Sequence, residues 1–265
     1  MSERRPVTVP DFLAAKQAGR RLAILTAYDY TLAQLLDAAG VDGLLVGDTL
    51  GMIMQGNDTT LTVTMDEMVY HTRMVARGAK RAHVIADMPF LSYQISPEKA
   101  LENAGRLIQQ GLAHSVKLEG GRRMTPAIEL ITRADIPVMG HVGLTPQSVR
   151  KLGGFRVQRN EAEILDDAKA VEQAGAFAIV VESVPAGIAE KITRSVSVPT
   201  IGIGAGVGCD GQVLVAHDML GLYTDFRPRF VKAFADVGAN IRQAATAFCD
   251  EVRAGKFPGP EHTFK

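Results

Sequence analysis

The sequence has few cysteines and no long apolar run, and both shortages exclude classes of protein. Its 265 residues contain two cysteines, Cys209 and Cys249, which are too few and too far apart for a disulfide framework or a CxxC motif. No uninterrupted apolar stretch approaches the ~18 residues that cross a bilayer. The N-terminal segment also lacks the apolar core of an export signal. We therefore expect a cytoplasmic protein with no membrane partner.

An excess of charge of either sign is also missing. Lys plus Arg and Asp plus Glu both number 29, so the formal net charge is zero. Because a nucleic-acid surface normally needs a basic excess, we expect no nucleic-acid partner, whereas a small acidic metabolite remains compatible with this composition. A hydrophobic content of 46% can form a large core, and the length fits one α/β barrel or two ordinary domains.

Apolar runs alternate with segments of helical spacing along the chain. Helix-start signals include a capping box from Thr64 to Glu67 and the pairs Ser96-Pro97 and Thr125-Pro126. Strands are predicted at 22–25, 43–48, 83–88, 115–119, 138–143, 178–182 and 199–203, with a weaker eighth at 213–216.

Seven or eight such units in this length favour a closed (β/α)8 TIM barrel over an open sheet. An N-terminal helix is predicted at about 10–19, and C-terminal helical residues at about 229–253. No change of composition marks a second domain, so we predict a single domain over residues 1–265.

Acidic residues stand where the predicted strands end. Because the carboxyl ends of parallel barrel strands share one face, these side chains are expected to meet. Clustered carboxylates are unfavourable unless a cation or protons neutralise them, and a ligand set of oxygens suits Mg²⁺, which takes one or two protein carboxylates. We therefore predict a Mg²⁺ site, with two acids as ligands and the others as supporting groups or a base. The strand-end residues are Asp48, Asp87, Glu119, Glu182 and, on a further strand, His141.

Each of these residues also has a structural interpretation. A single strand-end acid can cap the next helix, and His141 can be a hydrogen-bonded core imidazole. Lys117 points to the opposite side of its strand from both neighbours, which places it inside the barrel as a functional cation or as half of a buried ion pair.

Three loops carry weaker signals. The glycine-rich segment 201–206 is a phosphate cradle or a close contact between backbones. The basic segment 150–159 is an anion clamp or a solvated surface, and the irregular loop 51–60 is a candidate substrate cover.

Several motifs, taken together and in this order, resemble the ketopantoate hydroxymethyltransferase family over nearly the whole chain. The resemblance implies a Mg²⁺-dependent barrel enzyme of pantothenate biosynthesis. The implied reaction transfers a one-carbon unit from 5,10-methylenetetrahydrofolate to 3-methyl-2-oxobutanoate through a Mg-stabilised enolate, giving 2-dehydropantoate and tetrahydrofolate. The matching segments are residues 25–29, 46–51, 86–90, 116–121, 140–147 and 201–206.

The resemblance also implies roles for individual residues. Two acids are metal ligands and also belong to the substrate-binding set, a third acid supports the metal through water, and a fourth accepts the substrate proton. One Mg²⁺ per subunit and a large homo-oligomer, typically a homodecamer, are further expectations. The residues are Asp48 and Asp87 (metal and substrate), Thr49 and Lys117 (substrate), Glu119 (metal), Glu182 (catalytic base) and His141 (possible support).

Three positions depart from the family pattern. Thr49 and Ser183 stand where serine and cysteine are common, and no glycine separates Gln158 from Arg159. One alternative is a Mg²⁺-dependent lyase or mutase of the phosphoenolpyruvate mutase and isocitrate lyase type, although neither cysteine lies in the reactive loop expected there. A second alternative is a catalytically silent metabolite-binding barrel.

Overall fold

Eight parallel strands close into a barrel in chain order, which confirms the predicted fold class. The computed structural model describes residues 5–223 and 228–264, in two compact units, Met1–Leu214 and Val215–Lys265. The single domain over residues 1–265 stays a prediction. The strands, all in the first unit, are β1 (Leu22–Thr26), β2 (Gly43–Val46), β3 (His83–Asp87), β4 (Ser115–Lys117), β5 (Val138–Gly143), β6 (Ala178–Glu182), β7 (Thr200–Ile203) and β8 (Gly211–Leu214).

Helices follow most strands, as the alternating pattern predicts. In the first unit they are α1 (Val9–Gln17), α2 (Tyr30–Ala39), α3 (Leu50–Ile53), α4 (Met65–Gly78), α5 (Pro97–Gln109), α6 (Thr125–Thr132), α7 (Val149–Leu152), α8 (Glu161–Gln173) and α9 (Ala186–Ser195). The second unit contains α10 (Ala216–Met219) and α11 (Val237–Arg253). None of the described helices has the length and apolar character of a membrane span.

Helix α1 packs at the amino-terminal end of the barrel. The Phe12 ring contacts the ring of His83, the first residue of β3, and the ring of Phe177, which precedes β6; the centroid separations are 5.3 and 5.4 Å. Phe12 is fully buried, in one apolar cluster with barrel side chains such as Ile85 and Met139. This packing leaves the carboxyl ends of the strands as the end available to a ligand.

Two of the three predicted helix starts are confirmed. The Thr64 side chain accepts a hydrogen bond from the Glu67 amide in a capping box, and Ser96 caps α5 in front of Pro97. The third was wrong, because a 3₁₀ turn carries the chain directly into α6. Thr125 is therefore already helical, and its hydroxyl donates to the carbonyl of Arg122.

Other boundaries also differ from the sequence predictions. Helix α11 begins at Val237 rather than near 229, where the Asp236 side chain caps it by accepting from the Ala239 amide. Strand β8 begins at Gly211, two residues before the predicted start. A Cβ at Gly211 would lie 2.6 Å from the Leu22 carbonyl oxygen, so this strand starts with a glycine rather than with an apolar side chain.

The two loops predicted to be irregular each contain helix. Helix α3 occupies the start of the 51–60 loop, and a 3₁₀ turn at Thr60–Thr62 ends it. Helix α7 occupies the start of the basic segment 150–159. Gln158 lies at the far end of that segment, where its backbone N–H donates to the Ser183 carbonyl at 3.0 Å.

Candidate active site

The carboxyl ends of β2 to β6 bring the predicted site residues together. Parallel register places Asp87 beside Lys117, and Gly143 beside Glu182. Successive strands therefore deliver their terminal side chains to the same end of the barrel. Only Glu182 of this set is more than slightly exposed, at 17% of its side chain. The residues that meet, called the carboxylate cluster below, are Asp48, Asp87, Lys117, Glu119, His141 and Glu182.

Lys117 is the cation of the carboxylate cluster. Its Nζ lies 2.8 Å from Asp87 Oδ1, which confirms that the side chain points into the barrel. Burial alone would lower the pKa of Lys117, but the carboxylates of Asp87, Glu119 and Asp48 outweigh burial and raise it. The ammonium therefore stays charged and offsets part of the negative charge.

Asp48 and Asp87 are adjacent and differ in their surroundings. The Asp48 backbone amide donates to Asp87 Oδ2 at 3.1 Å. Burial, followed by the Asp87 charge, raises the pKa of Asp48 to about 7, although Lys117 and a hydrogen bond from Gln147 act in the opposite direction. A bound cation would favour the ionised form of this carboxyl group.

Glu119 is a buried acid of the cluster with a strongly shifted pKa. Burial and then the Asp48 charge hold the pKa of its carboxyl group well above the usual value, against the effect of Lys117. Its Oε2 accepts from the Gln147 backbone amide at 3.0 Å. The protonated form is therefore favoured while no further cation is close.

His141 lies between two acids. Its Nδ1 is 3.6 Å from Glu119 Oε1, and its Nε2 is 3.3 Å from Glu182 Oε2, without the alignment of a full hydrogen bond. Burial and the Lys117 charge lower the pKa of His141, so the imidazole is neutral. Because the Lys117 ammonium, 3.4 Å from Nδ1, can only donate, the proton belongs on Nε2, facing Glu182.

Two residues that sequence reasoning missed hold the cluster together. The Gln147 side chain donates to Asp48 Oδ2 at 2.8 Å and accepts from Tyr93 Oη at 2.7 Å. Tyr93 Oη in turn accepts from the Glu119 amide at 3.1 Å. Both lie beyond strand ends, and Gln147 is also the last residue of the matching segment 140–147, although neither signal indicates a contact with the acids.

Thr49 is next to Asp48 but lies outside this network. It is half-buried, at the start of α3. In the part of the chain that the structure describes, its hydroxyl makes no hydrogen bond to the carboxylate cluster. Its predicted substrate contact therefore rests on its position alone and stays a prediction.

The donor set fits Mg²⁺. The described residues contain no group of three or more His, Cys, Asp and Glu side chains arranged to hold a metal by themselves. Two carboxylates with water or substrate oxygens completing the shell is the pattern that Mg²⁺ adopts. Asp87 Oδ1 is buried and lies 2.8 Å from the Lys117 ammonium without a well-aligned hydrogen bond, and a carboxylate oxygen has a further lone pair for a second cation.

A cavity of about 630 Å³ adjoins the carboxylate cluster. Gly120 of its lining follows Glu119, and Gly143 pairs with Glu182 in the barrel. The remaining lining comes from β5, from the loops after β4 and β5 and from α7 and α8: Gly121, Arg122, Arg123, Val142, Thr145, Ser148, Lys151, Leu152, Gln158, Glu163, Asp166 and Asp167.

The glycine-rich segment after β7 has a packing explanation. A Cβ at Gly206, whose φ is +78°, would lie 2.6 Å from the Cβ of Ala186 in α9. The Gln212 side chain also donates to the Gly206 carbonyl at 2.9 Å. Close approach of loop and helix accounts for this glycine without a phosphate.

Solved structures share the barrel at low identity. Phosphonopyruvate hydrolase matches with a TM-score of 0.65 at 15% identity, covering 98% of this chain and 92% of that one. A 2,3-dimethylmalate lyase, described as a phosphoenolpyruvate mutase/isocitrate lyase superfamily member, matches with a TM-score of 0.59 at 15% identity, covering 96% and 92%. These matches show the fold.

Sequence relatives are much closer. The 3-methyl-2-oxobutanoate hydroxymethyltransferase of Pelobacter propionicus is 54% identical over 264 residues, 98% of either chain. That of Clostridium beijerinckii is 55% identical, covering 97% of this chain and 95% of its own. The ketopantoate hydroxymethyltransferase family model matches residues 6–260. The chain is therefore an enzyme, a transferase, and belongs to the ketopantoate hydroxymethyltransferase family.

Proposed function

We propose that this protein transfers a hydroxymethyl group from 5,10-methylenetetrahydrofolate to 3-methyl-2-oxobutanoate, in pantothenate biosynthesis. The products are 2-dehydropantoate and tetrahydrofolate, and one water supplies the hydroxyl oxygen. The observation that carries the proposal is the carboxylate cluster at the barrel mouth, in a chain 54% identical to a relative named for this activity.

The metal and the keto acid bind at the cluster. Asp48 and Asp87 would hold one Mg²⁺ per subunit, with Glu119 supporting it through water. When bound, Mg²⁺ supplies Lewis-acid polarisation of the 2-oxo group, a contribution of roughly several kcal/mol. The Lys117 ammonium provides positive charge for the substrate carboxylate, and Thr49 provides a hydroxyl next to Asp48.

Glu182 is the base that takes the C3 proton of the keto acid. It is the most exposed acid of the cluster, so it can reach a substrate at the mouth. The neutral His141 presents its Nε2 proton to Glu182, 3.3 Å away. A positioned base contributes about 10²–10⁴ in rate. The C3 carbon then bonds to the folate-borne methylene carbon while one of the two C–N bonds of that carbon breaks. Water replaces the second nitrogen, which leaves the hydroxymethyl group on the keto acid and releases tetrahydrofolate.

The one-carbon donor occupies the adjoining cavity. Its volume of about 630 Å³ lies within the ordinary range of about 300–1,000 Å³ for ligand sites. Arg123 donates to the Ser148 hydroxyl at 3.1 Å, and neither Arg123 nor Lys151 forms an ion pair with any described residue. Both cations are available to the carboxylates of a folate tail.

Replacing Lys151 tests this location. Lys151→Gln should raise the KM for the folate several-fold and leave kcat unchanged, because contacts equal in ground and transition states affect binding alone. Lys99→Gln, an exposed lysine on α5, is the matched control. Unchanged KM in the Lys151 variant would place the donor elsewhere.

Product formation decides the proposed reaction. Purified protein should form 2-dehydropantoate only with both the keto acid and methylenetetrahydrofolate, and EDTA should stop it until Mg²⁺ is restored. Folate-independent cleavage of another 2-oxo acid would support the lyase or mutase alternative. Binding without turnover would support the silent barrel.

Assembly and location complete the proposal. From the family resemblance we propose a homo-oligomer, specifically a homodecamer, that works in the cytoplasm. Light scattering coupled to size-exclusion chromatography measures the assembly directly. A monomer or dimer at working concentration would contradict it.

A further inference from the structure

Gln147 contacts two acids of the carboxylate cluster, and the sequence did not predict these contacts. Its side chain is buried, in the 3₁₀ turn Pro146–Ser148 after β5. Nε2 donates to Asp48 Oδ2 at 2.8 Å and to the Met88 carbonyl at 3.0 Å. Oε1 accepts from Tyr93 Oη at 2.7 Å and from Gln94 Nε2 at 2.9 Å. The amide therefore uses its two donors and both acceptor sites.

The partners dictate which way the amide faces. The Met88 carbonyl oxygen can only accept, and an ionised Asp48 carboxylate can only accept as well. An inverted amide would place Oε1 against both oxygens and Nε2 against the Gln94 donor. Tyr93 and Gln94 thus lock the orientation that presents Nε2 to Asp48.

The same residue also fixes a second acid. The Gln147 backbone amide donates to Glu119 Oε2 at 3.0 Å, and Tyr93 accepts from the Glu119 amide at 3.1 Å. Asp48 and Glu119 follow different strands, β2 and β4, yet one loop residue from beyond β5 holds a carboxylate oxygen of each.

We propose that Gln147 is the positioning residue of this site, which presets the carboxylates of Asp48 and Glu119 for Mg²⁺, with Tyr93 and Gln94 holding its amide in the working orientation. This inference rests on the metal site of the proposed function. Groups that orient metal ligands in this way typically contribute 10–100-fold to metal affinity.

Metal titration of the full-length protein tests the inference without turnover. By calorimetry, Gln147→Met, which keeps the side-chain length and removes the amide, should bind Mg²⁺ about 10–100-fold more weakly than wild type. Gln109→Met, on the exposed surface of α5, is the matched control and should bind as wild type. Thermal melting without metal verifies that each variant is folded.

A second variant covers the case in which Gln147→Met does not fold. Tyr93→Phe combined with Gln94→Met keeps Gln147 but releases its amide to invert, so affinity should fall measurably, by less than about tenfold. A purely structural role for Gln147 would lower the melting temperature and leave the Mg²⁺ affinity of the folded variants equal to wild type, which would overturn the inference. Wild-type protein that binds no Mg²⁺ would instead overturn the metal site itself.

Discussion

Among single residues, Glu182 is set apart from the other acids by its access to solvent. Its side chain is 17% exposed, against 6% for Asp87 and 4% for Glu119. The Lys117 ammonium compensates the three more buried acids, Asp87, Glu119 and Asp48, whereas the side chain next to the Glu182 carboxylate is the neutral His141. This difference separates a group suited to proton transfer from groups suited to holding a cation.

Glu182→Gln should abolish exchange of the C3 proton of 3-methyl-2-oxobutanoate with deuterated water, because the amide cannot accept that proton. Mg²⁺ and keto-acid binding should persist. NMR measures the exchange in the absence of folate. The exposed Glu129→Gln on α6 is the control. Exchange at the wild-type rate would remove Glu182 from the base role.

The positions of the acids could be predicted from the sequence, whereas the role of Gln147, which positions two of them, could not. Strand periodicity places Asp48, Asp87 and Glu182 at one barrel end, since each directly follows an apolar run. Gln147 lies in a turn, where no periodicity indicates direction. Its importance arises from contacts with Asp48, 99 positions away in sequence, which only the closed barrel creates.

The backbone conformation of Ser183 also could not be predicted from the sequence. Its φ is +49°, a left-handed conformation that is uncommon for a residue other than glycine. Its carbonyl accepts from the Gln158 amide at 3.0 Å. Two of the three departures from the family pattern therefore contact each other, so they are better interpreted as one local change than as two.

At the scale of elements, the amino-terminal end of β3 carries a buried histidine unrelated to the site. His83 is 2% exposed, its Nε2 lies 3.0 Å from the Ser115 hydroxyl, and its Nδ1 lies 3.3 Å from the Val7 carbonyl. Burial, followed by the charge of His114, lowers the pKa of His83 to about 4. The element is therefore built around a neutral imidazole.

Acid should weaken the fold through His83. The folded pKa is below the unfolded value, so the unfolded state binds the proton first, and stability present above about pH 6.5 is lost as pH falls towards 4. The loss attributable to His83 is about 3 kcal/mol. Urea unfolding at pH 7 and pH 4.5 measures it in wild type and His83→Gln.

Comparing wild type with His83→Gln isolates the contribution of His83 to the pH dependence of stability. Carboxylates elsewhere titrate in both, so only the difference in pH dependence belongs to His83. We expect the variant to be less stable at pH 7 and to lose less on acidification. Parallel pH dependences would show that the pKa of His83 is the same in the folded and the unfolded protein.

Six of the eight predicted strand starts agree with the structure, and local caps identify two of the three predicted helix starts. Caps are local, so Thr64 and Ser96 identify α4 and α5 without knowledge of the fold. The start of β8 was not identified, because Gly211 is selected by the approach of β1 and β7 rather than by its own side chain. The failure at Thr125 has a similar origin, since a preceding turn replaced the cap.

At the scale of the whole molecule, metal binding and folding are linked. A ligand that binds only the folded protein stabilises it by about 2.7 kcal/mol at one hundred times its Kd. Mg²⁺ should therefore raise the melting temperature by several degrees, measured by scanning calorimetry at fixed protein concentration.

Asp87→Asn should remove most of that rise, because it deletes one of the two proposed ligands. Asp66→Asn, an exposed aspartate on α4, should retain the rise. The same shift in the Asp87 variant as in wild type would exclude Asp87 as a ligand. This comparison does not depend on turnover.

Closure of the barrel determines when, during synthesis, the chain stops presenting unpaired strand edges. Strand β1 pairs with β2 on one side and, through Leu22 and Gly211, with β8 on the other. Until residues 211–214 are synthesised, β1 and β7 each present an unpaired edge, and exposed edges invite pairing with another chain. Strand β8, the last to be synthesised, therefore covers both exposed edges of the nascent barrel at once.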